Sequence, residues 1–334
     1  DPDRLGVLVV AAAKVYAKQV RQAREDVGYL KRGQVVFPPA ADININMMPF
    51  ILGQEESLPT NLRSYWPLIK ACRLQPEEIG KVGYLTIQEG EVPAGSSQRR
   101  PGLHTEAPGV IMSSGRVISI AAKWGHGGFQ RGPKPKKPAP LLQLEEFLEE
   151  DGDALPLEDS DEDSDDSFCW TTAVVQGGIY TASTVEHSTR AWNMRFDCLD
   201  EIAGPLGDIE HVRELLGPGD DLAPNTLYWM TDTTPHESLA LRSSTYRQYF
   251  RLVTSQVSIW YSAHSTTNPT GVCPDPNVTQ VVTHDKFVDL ARQARVASNL
   301  RKDELWDIEA EQRGECGEGD EITERLSQLS LEIT

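Results

Sequence analysis

The pattern of apolar and polar positions in residues 226–254 is the one around which the rest of the chain reads as organised. Leu227, Tyr228, Trp229 and Met230 form an apolar run that leads into a polar turn. Tyr246 to Thr254 forms a second run, rich in aromatic and β-branched residues. This pattern predicts two strands joined by a turn. His236 stands at the rim of that turn, directly after Pro235, where the preceding backbone is held extended.

The same reading extends along the chain. Val7, Ala11, Val15 and Ala17 alternate with Lys14, Lys18, Arg21 and Arg24 at helical spacing, which predicts a helix over 3–32. Residues 34–60, with Pro38, Pro39 and an Asn/Ile alternation, read as irregular, and a helix is predicted around Trp66–Cys72. From Lys81 the period changes: KVGYLTIQEGEV reads as a strand, and 99–125 as two extended pieces separated by Ser113-Ser114-Gly115. Extended patterns return in TTAVVQGGIYTAST and TRAWNMRF, a short helix is predicted over 208–216, and another over 285–313 before a polar tail. About 126–167 is a low-complexity insertion, Gly/Pro/Lys-rich and then acidic, with too little apolar surface to fold alone. Its Ser160, Ser164 and Ser167 lie among acids, as phosphorylation sites or as solvated polar chain.

The expected class is mainly β with flanking helices, around a jelly-roll core of roughly eight or more strands. Residues 1–80 form an N-terminal helical flank, 81–260 the core, and 261–334 a loop, a helix and a tail. The chain starts at Asp1 rather than Met, as a piece of a longer protein would.

Charge changes this picture little. The net charge is −18, but residues 145–166 alone hold 13 acids and no Lys or Arg. Without them 32 basic residues face 37 acidic ones, a net of −5. That balance makes nucleic acid a poor partner. No apolar run approaches the roughly 18 residues that span a bilayer. The five cysteines are scattered, odd in number and without CxxC spacing, which points to a reducing, intracellular compartment, cytoplasmic or nuclear.

The candidate chemistry lies in RPGLHTEAPG, residues 100–109. On a strand over Leu103–Glu106, His104 and Glu106 share a face, because side chains repeat every two residues. His236 adds a distant second imidazole. Two histidines and one carboxylate leave open positions on a metal, which suits Fe(II) oxygen chemistry. Taken alone, HxE is more commonly an ordinary hydrogen-bonded histidine.

The order His104-Thr105-Glu106, a long insertion, His236 at the end of a late strand, and then TYRQYFRLVT resembles the Fe(II)/2-oxoglutarate-dependent oxygenases over about residues 80–260. HxE is the less common form of that family's HxD motif. The resemblance implies a double-stranded β-helix core, jelly-roll or cupin-like. It implies a catalytic Fe(II) held by His104, Glu106 and His236, and 2-oxoglutarate as co-substrate. A strand arginine then anchors the distal carboxylate, because a planar guanidinium suits it. Arg247 is the first choice and Arg251 the reserve. For either, a structural ion pair is the alternative, while Arg242 belongs to the turn and to solvent. The substrate, a small molecule or a peptide, is not identified. A non-catalytic β-barrel binding protein is the second reading. An oxygenase of methylated nucleobases is the third, and the acidic insertion disfavours it.

Other residues carry weaker signals. His126, His187, His211, His264 and His284 lack ligand-like neighbours, and Asp232 suits a turn. Tyr180, Trp192, Asn193 and Tyr249 fall on predicted strands, as pocket wall or as core. Arg99, Arg100 and Arg190 are placed to meet an anionic group or solvent.

Overall fold

The computed structural model of the chain describes residues 14–107, 111–113, 116–119, 122–130, 174–197, 199, 202–283 and 285. The architecture is mainly β and antiparallel. A six-stranded sheet is built from β1 (Tyr29–Gln34), β2 (Asn44–Ile51), β3 (Val82–Val92), β8 (Ile179–Ser183), β11 (Thr226–Met230) and β13 (Thr245–Val253), in the order β1-β11-β8-β13-β3-β2. A smaller sheet runs β10 (Asp220–Asp221), β9 (Thr189–Ala191) and β12 (His236–Ser238). Two-stranded ribbons pair β4 (Ile111–Ser113) with β5 (Arg116–Ser119), and β6 (Gly128–Gln130) with β7 (Val174–Gln176). A third, parallel, pairs β14 (Ile259–Tyr261) with β15 (Gln280–Val282). Helical turns are few: α1 over 14–23, α2 (Trp66–Ala71), α3 (Arg213–Leu216) and short 3₁₀ pieces.

The period of two explains how the large sheet is buried. On one face Leu85 and Ile87 of β3, Tyr180 and Ala182 of β8, Leu227 and Trp229 of β11, and Phe250 and Leu252 of β13 form one core. Leu62, Tyr65, Leu68 and Ile69 around α2 cover that core. The alternate residues Tyr84, Ile179, Tyr228, Met230 and Val253 point the other way and meet Ala191 of the small sheet. A sheet covered on both faces has strands buried throughout, and Thr226–Met230 is buried at every position. Arg247, Tyr249 and Arg251 therefore fall on the face toward the small sheet.

Several expectations are corrected here. The 3–32 helix ends early: the described helix stops at 23 and the chain becomes strand at Tyr29. There Asn193 Oδ1 accepts the N–H groups of Gly28 and Tyr29, and β11 pairs with β1. The stretch 34–60 is not all irregular. Its Asn/Ile alternation is strand periodicity, and β2 pairs with β3 through a bulge between Ile45 and Met48, where Met47 takes a φ of 47°. The N-terminal segment thus supplies both edges of the large sheet. The runs at 226–230 and 245–253 are not a hairpin, because β8 lies between them. The chain leaves β11, crosses to the small sheet as β12, and returns as β13. Leu103–Glu106 forms no strand; only His104 makes bridges there, to Asp208 and to His236. Residues 128–130, assigned to the insertion, are β6. The rest of the insertion from 131, the helix at 285–313 with His284, and the tail lie essentially outside the described residues.

A buried carboxylate fastens the β2 edge. Glu89 of β3, 9% exposed, accepts hydrogen bonds from Tyr65 Oη (2.5 Å), Ala41 N (2.7 Å), Ile43 N (2.9 Å) and Gln248 Nε2 (3.0 Å). Burial pushes its pKa up, but these donors outweigh burial and hold it below the usual value of 4.5. Glu89→Gln is expected to cost about 2–3 kcal/mol at neutral pH, because it swaps charge-assisted bonds for neutral ones and adds a donor among donors. The folded pKa lies below the unfolded one. The contribution is therefore complete above pH 4.5 and is lost as pH falls through the folded value. Denaturant melts of both proteins at neutral and acid pH check this; a gap that widens on acidification would contradict it.

Candidate functional site

The segment Leu103–Ala107 is fixed without being a strand. Its amides are held one by one: Leu103 N by Glu210 Oε2 (2.9 Å), Thr105 N by Gly207 O (2.9 Å) and Ala107 N by Asp232 O (2.8 Å). The turn at 205–207 lies so close that a Cβ on Gly207 would stand 2.4 Å from Thr105 O, and its φ of 77° also favours glycine. His104 and His236 exchange both backbone hydrogen bonds, His104 N to His236 O at 3.0 Å and His236 N to His104 O at 2.9 Å. This pairing joins residues 132 positions apart in sequence and brings the rings to 4.6 Å between centroids.

Each ring is tethered by one nitrogen. His104 Nδ1 lies 2.7 Å from Gly102 O, and His236 Nδ1 lies 3.0 Å from Thr234 O. A carbonyl oxygen only accepts, so Nδ1 carries a proton in each ring, which leaves Nε2 as the nitrogen that can ligate. Burial, then the neighbouring His236 and Arg100, hold the His104 pKa down at about 3, so the ring is neutral near pH 7. Glu106 Oε1 lies 3.7 Å from His236 Nε2 and also accepts a hydrogen bond from Arg251 Nη1. Burial raises the Glu106 pKa, but Arg251, then His236 and His104, hold it well below the carboxylate range. Burial also works against the charge on Arg251, and Glu106 more than restores it, so its pKa is raised.

These groups open onto a cavity of about 140 Å³. His104, Glu106, His236, Arg251, Arg99 and Tyr249 are in its wall. Arg247 is not. Fully buried behind Thr189 and Tyr249, it donates from Nε to Ser183 Oγ (2.9 Å) and from Nη2 to Thr189 Oγ1 (3.2 Å). Its Nη1 is buried with no hydrogen-bond partner among the described residues, as is Nε of Arg251. Burial and the nearby Arg99 lower the Arg247 pKa to about 10. Thr189 and Ser238 are cross-strand partners in the small sheet, and both line the cavity on its Arg247 side.

The remaining candidates scatter. His126 is exposed and faces Asp232 at 4.0 Å; His187 pairs with Asp221 at the surface; His211 packs edge-on against Tyr16. His264, read as incidental, lines the cavity rim while bonding Asp285. Asp232 is buried and ties the Trp124 amide to the turn before β12. Tyr180 is core, Trp192 bonds Gly217 O, Asn193 caps the entry to β1, and Tyr249 is cavity wall. Arg190 pairs with Asp221, and Arg242 is exposed. Asn46, Trp124 and Ser238 escaped the sequence reading. Ser238 had a signal, since it lies two residues after His236 and so on the same strand face.

The three donors converge on one cavity. Among the described residues, however, no group of three or more His, Cys, Asp or Glu side chains stands ready to hold a metal ion. Among those residues no helix is long and apolar enough to cross a membrane. No family model matches the chain, and no curated protein or solved structure matches it.

Proposed function

We propose that this chain is a non-haem Fe(II)/2-oxoglutarate-dependent oxygenase with a double-stranded β-helix core. The observation that carries the reading is the reciprocal backbone pairing of His104 with His236, which turns two imidazoles toward one cavity beside a carboxylate. The donor types suit ferrous iron, two imidazoles and one carboxylate with space for further ligands, although among the described residues they are not gathered into a ready metal site. Both contacts of Glu106, to Arg251 and to His236, go to Oε1, one of its two oxygens.

His104, Glu106 and His236 would hold the metal. The carbonyls of Gly102 and Thr234 fix the ring tautomers, the outer support that a ligating histidine needs. Arg247 offers a buried Nη1 with no hydrogen-bond partner among the described residues, behind Thr189 of the cavity wall, and Thr189 would have to move aside for it to meet a carboxylate end of the co-substrate. Iron with 2-oxoglutarate, when bound, supplies oxygen activation for oxidising a substrate C–H bond. Arg251 pairs with Glu106 and keeps it ionised.

A second reading, an anion-binding β protein without metal, is favoured by one observation. Arg251 already satisfies Glu106 as an ion pair. Anaerobic titration with Fe(II) and 2-oxoglutarate separates the two. The oxygenase gives stoichiometric iron uptake, a weak visible charge-transfer band, and succinate on admission of air. Protein that takes up no Fe(II) leaves only the second reading.

A further inference from the structure

The cavity wall carries more positive charge than its own carboxylates neutralise. Arg99 and Arg100 enter it from the loop after β3, and Arg251 from β13. The two carboxylates in the wall, Glu106 and Glu237, are both engaged. Glu106 pairs with Arg251, and Glu237 takes a two-pronged contact from Arg213 at 2.7 and 3.1 Å. Arg100 donates to Leu206 O and lies 4.0 Å from Asp208 at the exposed mouth. Arg99 pairs with no carboxylate among the described residues. It is half-buried, its Nη1 reaches only the amide oxygens of Gln88 (3.2 Å) and Asn46 (3.4 Å), and its Cζ lies 5.4 Å from the Tyr249 ring centroid.

The Arg247 Cζ lies 5.1 Å from the same ring. Three guanidiniums, Arg99, Arg247 and Arg251, therefore gather about one tyrosine with a single carboxylate among them. Burial and the closeness of Arg251 both work against the charge on Arg99. A partly desolvated cation beside other cations, with only neutral acceptors, gains most from an incoming anion. A metal dication and a dianionic co-substrate cancel one another, so this surplus is the same whether or not they bind. The wall also has aromatic residues. Trp124 stands there, and its Nε1 is buried without a hydrogen-bond partner among the described residues.

We infer that the cavity takes a substrate bearing an anionic oxygen group, a carboxylate or a phosphate, seated on Arg99, with its apolar body against Trp124. The inference rests on the proposed function only in calling that ligand a substrate.

Calorimetric titration of the metal-free, 2-oxoglutarate-free protein with benzoate, phenyl phosphate and inorganic phosphate tests it. Wild type is expected to bind benzoate or phenyl phosphate saturably, and the tighter of the two identifies carboxylate or phosphate as the group. Arg99→Gln should weaken that binding by about tenfold or more, since a charge-assisted contact is removed. Arg99→Lys keeps the charge, loses the fork and should fall between. It also serves if Arg99→Gln does not fold. Arg247→Gln is measured beside them, because Arg247 is the guanidinium proposed for the co-substrate carboxylate, and His126→Ala, exposed and outside the cavity wall, should stay within about twofold of wild type. Absence of saturable binding, equal binding by wild type and the Arg99 variants, or a loss that follows Arg247→Gln instead would each overturn the inference. Failure of the oxygenase reading shows separately, as absence of iron uptake, and leaves this result standing.

Discussion

His104→Ala and His236→Ala are each expected to lower Fe(II) affinity by more than about 100-fold, since even the outer partners of a metal ligand are worth 10–100-fold. Each removes one of two free Nε2 donors that the backbone pairing sets 4.6 Å apart, ring to ring. Glu106→Ala removes the only charged donor and also strips Arg251 of its partner. It is therefore expected to lose iron and to destabilise the metal-free protein, whereas the histidine variants lose iron with a smaller change in the melt. His126→Ala is the control, because His126 is exposed and outside the cavity wall. Metal content after anaerobic loading and desalting, measured beside the denaturant midpoint, checks both halves. Wild-type iron content in the two histidine variants would remove the proposed centre. A loss seen only in His126→Ala would move it to the Trp124 loop.

The two strand arginines are expected to separate in opposite directions. Arg251→Met leaves Glu106 buried with its charge uncompensated, and breaking such a pair costs about 3–5 kcal/mol. Arg247→Met removes a buried cation whose bonded partners are the neutral hydroxyls of Ser183 and Thr189. A methionine there fills similar volume and leaves no charge stranded, so stability should change by less than about 1 kcal/mol or improve. Binding runs the other way. Arg247→Met should weaken 2-oxoglutarate by about tenfold or more while sparing iron, because it deletes the unsatisfied Nη1 that a carboxylate would meet. Denaturant titration of the metal-free variants and 2-oxoglutarate titration of the iron-loaded ones give the two readouts. Loss of 2-oxoglutarate in Arg251→Met alone would assign the anchor to the ion-paired arginine.

Much of the site was legible as a set of residue types. HxE named two donors, and the turn after an apolar run named a third. The alternation in TYRQYFRLVT places Arg247 and Arg251 on one strand face, as a period of two requires. The same local rule located β3, β11 and β13, since the alternation within a strand is written in consecutive residues. The Asn/Ile alternation of β2 obeyed it too, but the prolines before it read more strongly as loop. Strand was assigned to Leu103–Glu106, but only His104 makes bridges there, and the segment's partners come from separate places: Gly207, Glu210, Asp232 and His236.

What the sequence by itself determined is which side chains share a face and which donors are on offer. Neighbouring residues and the pleat fix both. Which elements lie side by side was decided only by the tertiary structure. The insertion of β8 between β11 and β13, and the crossing of β12 to the small sheet, pair residues tens of positions apart, and no local period encodes such pairings. The fates of the arginines follow from the same cause. Arg247 and Arg251 are two repeats of the alternation apart on the same strand. The neighbour that each meets, Ser183 across the sheet or Glu106 from a distant loop, sets one behind the wall with an open N–H and the other in the wall as an ion pair.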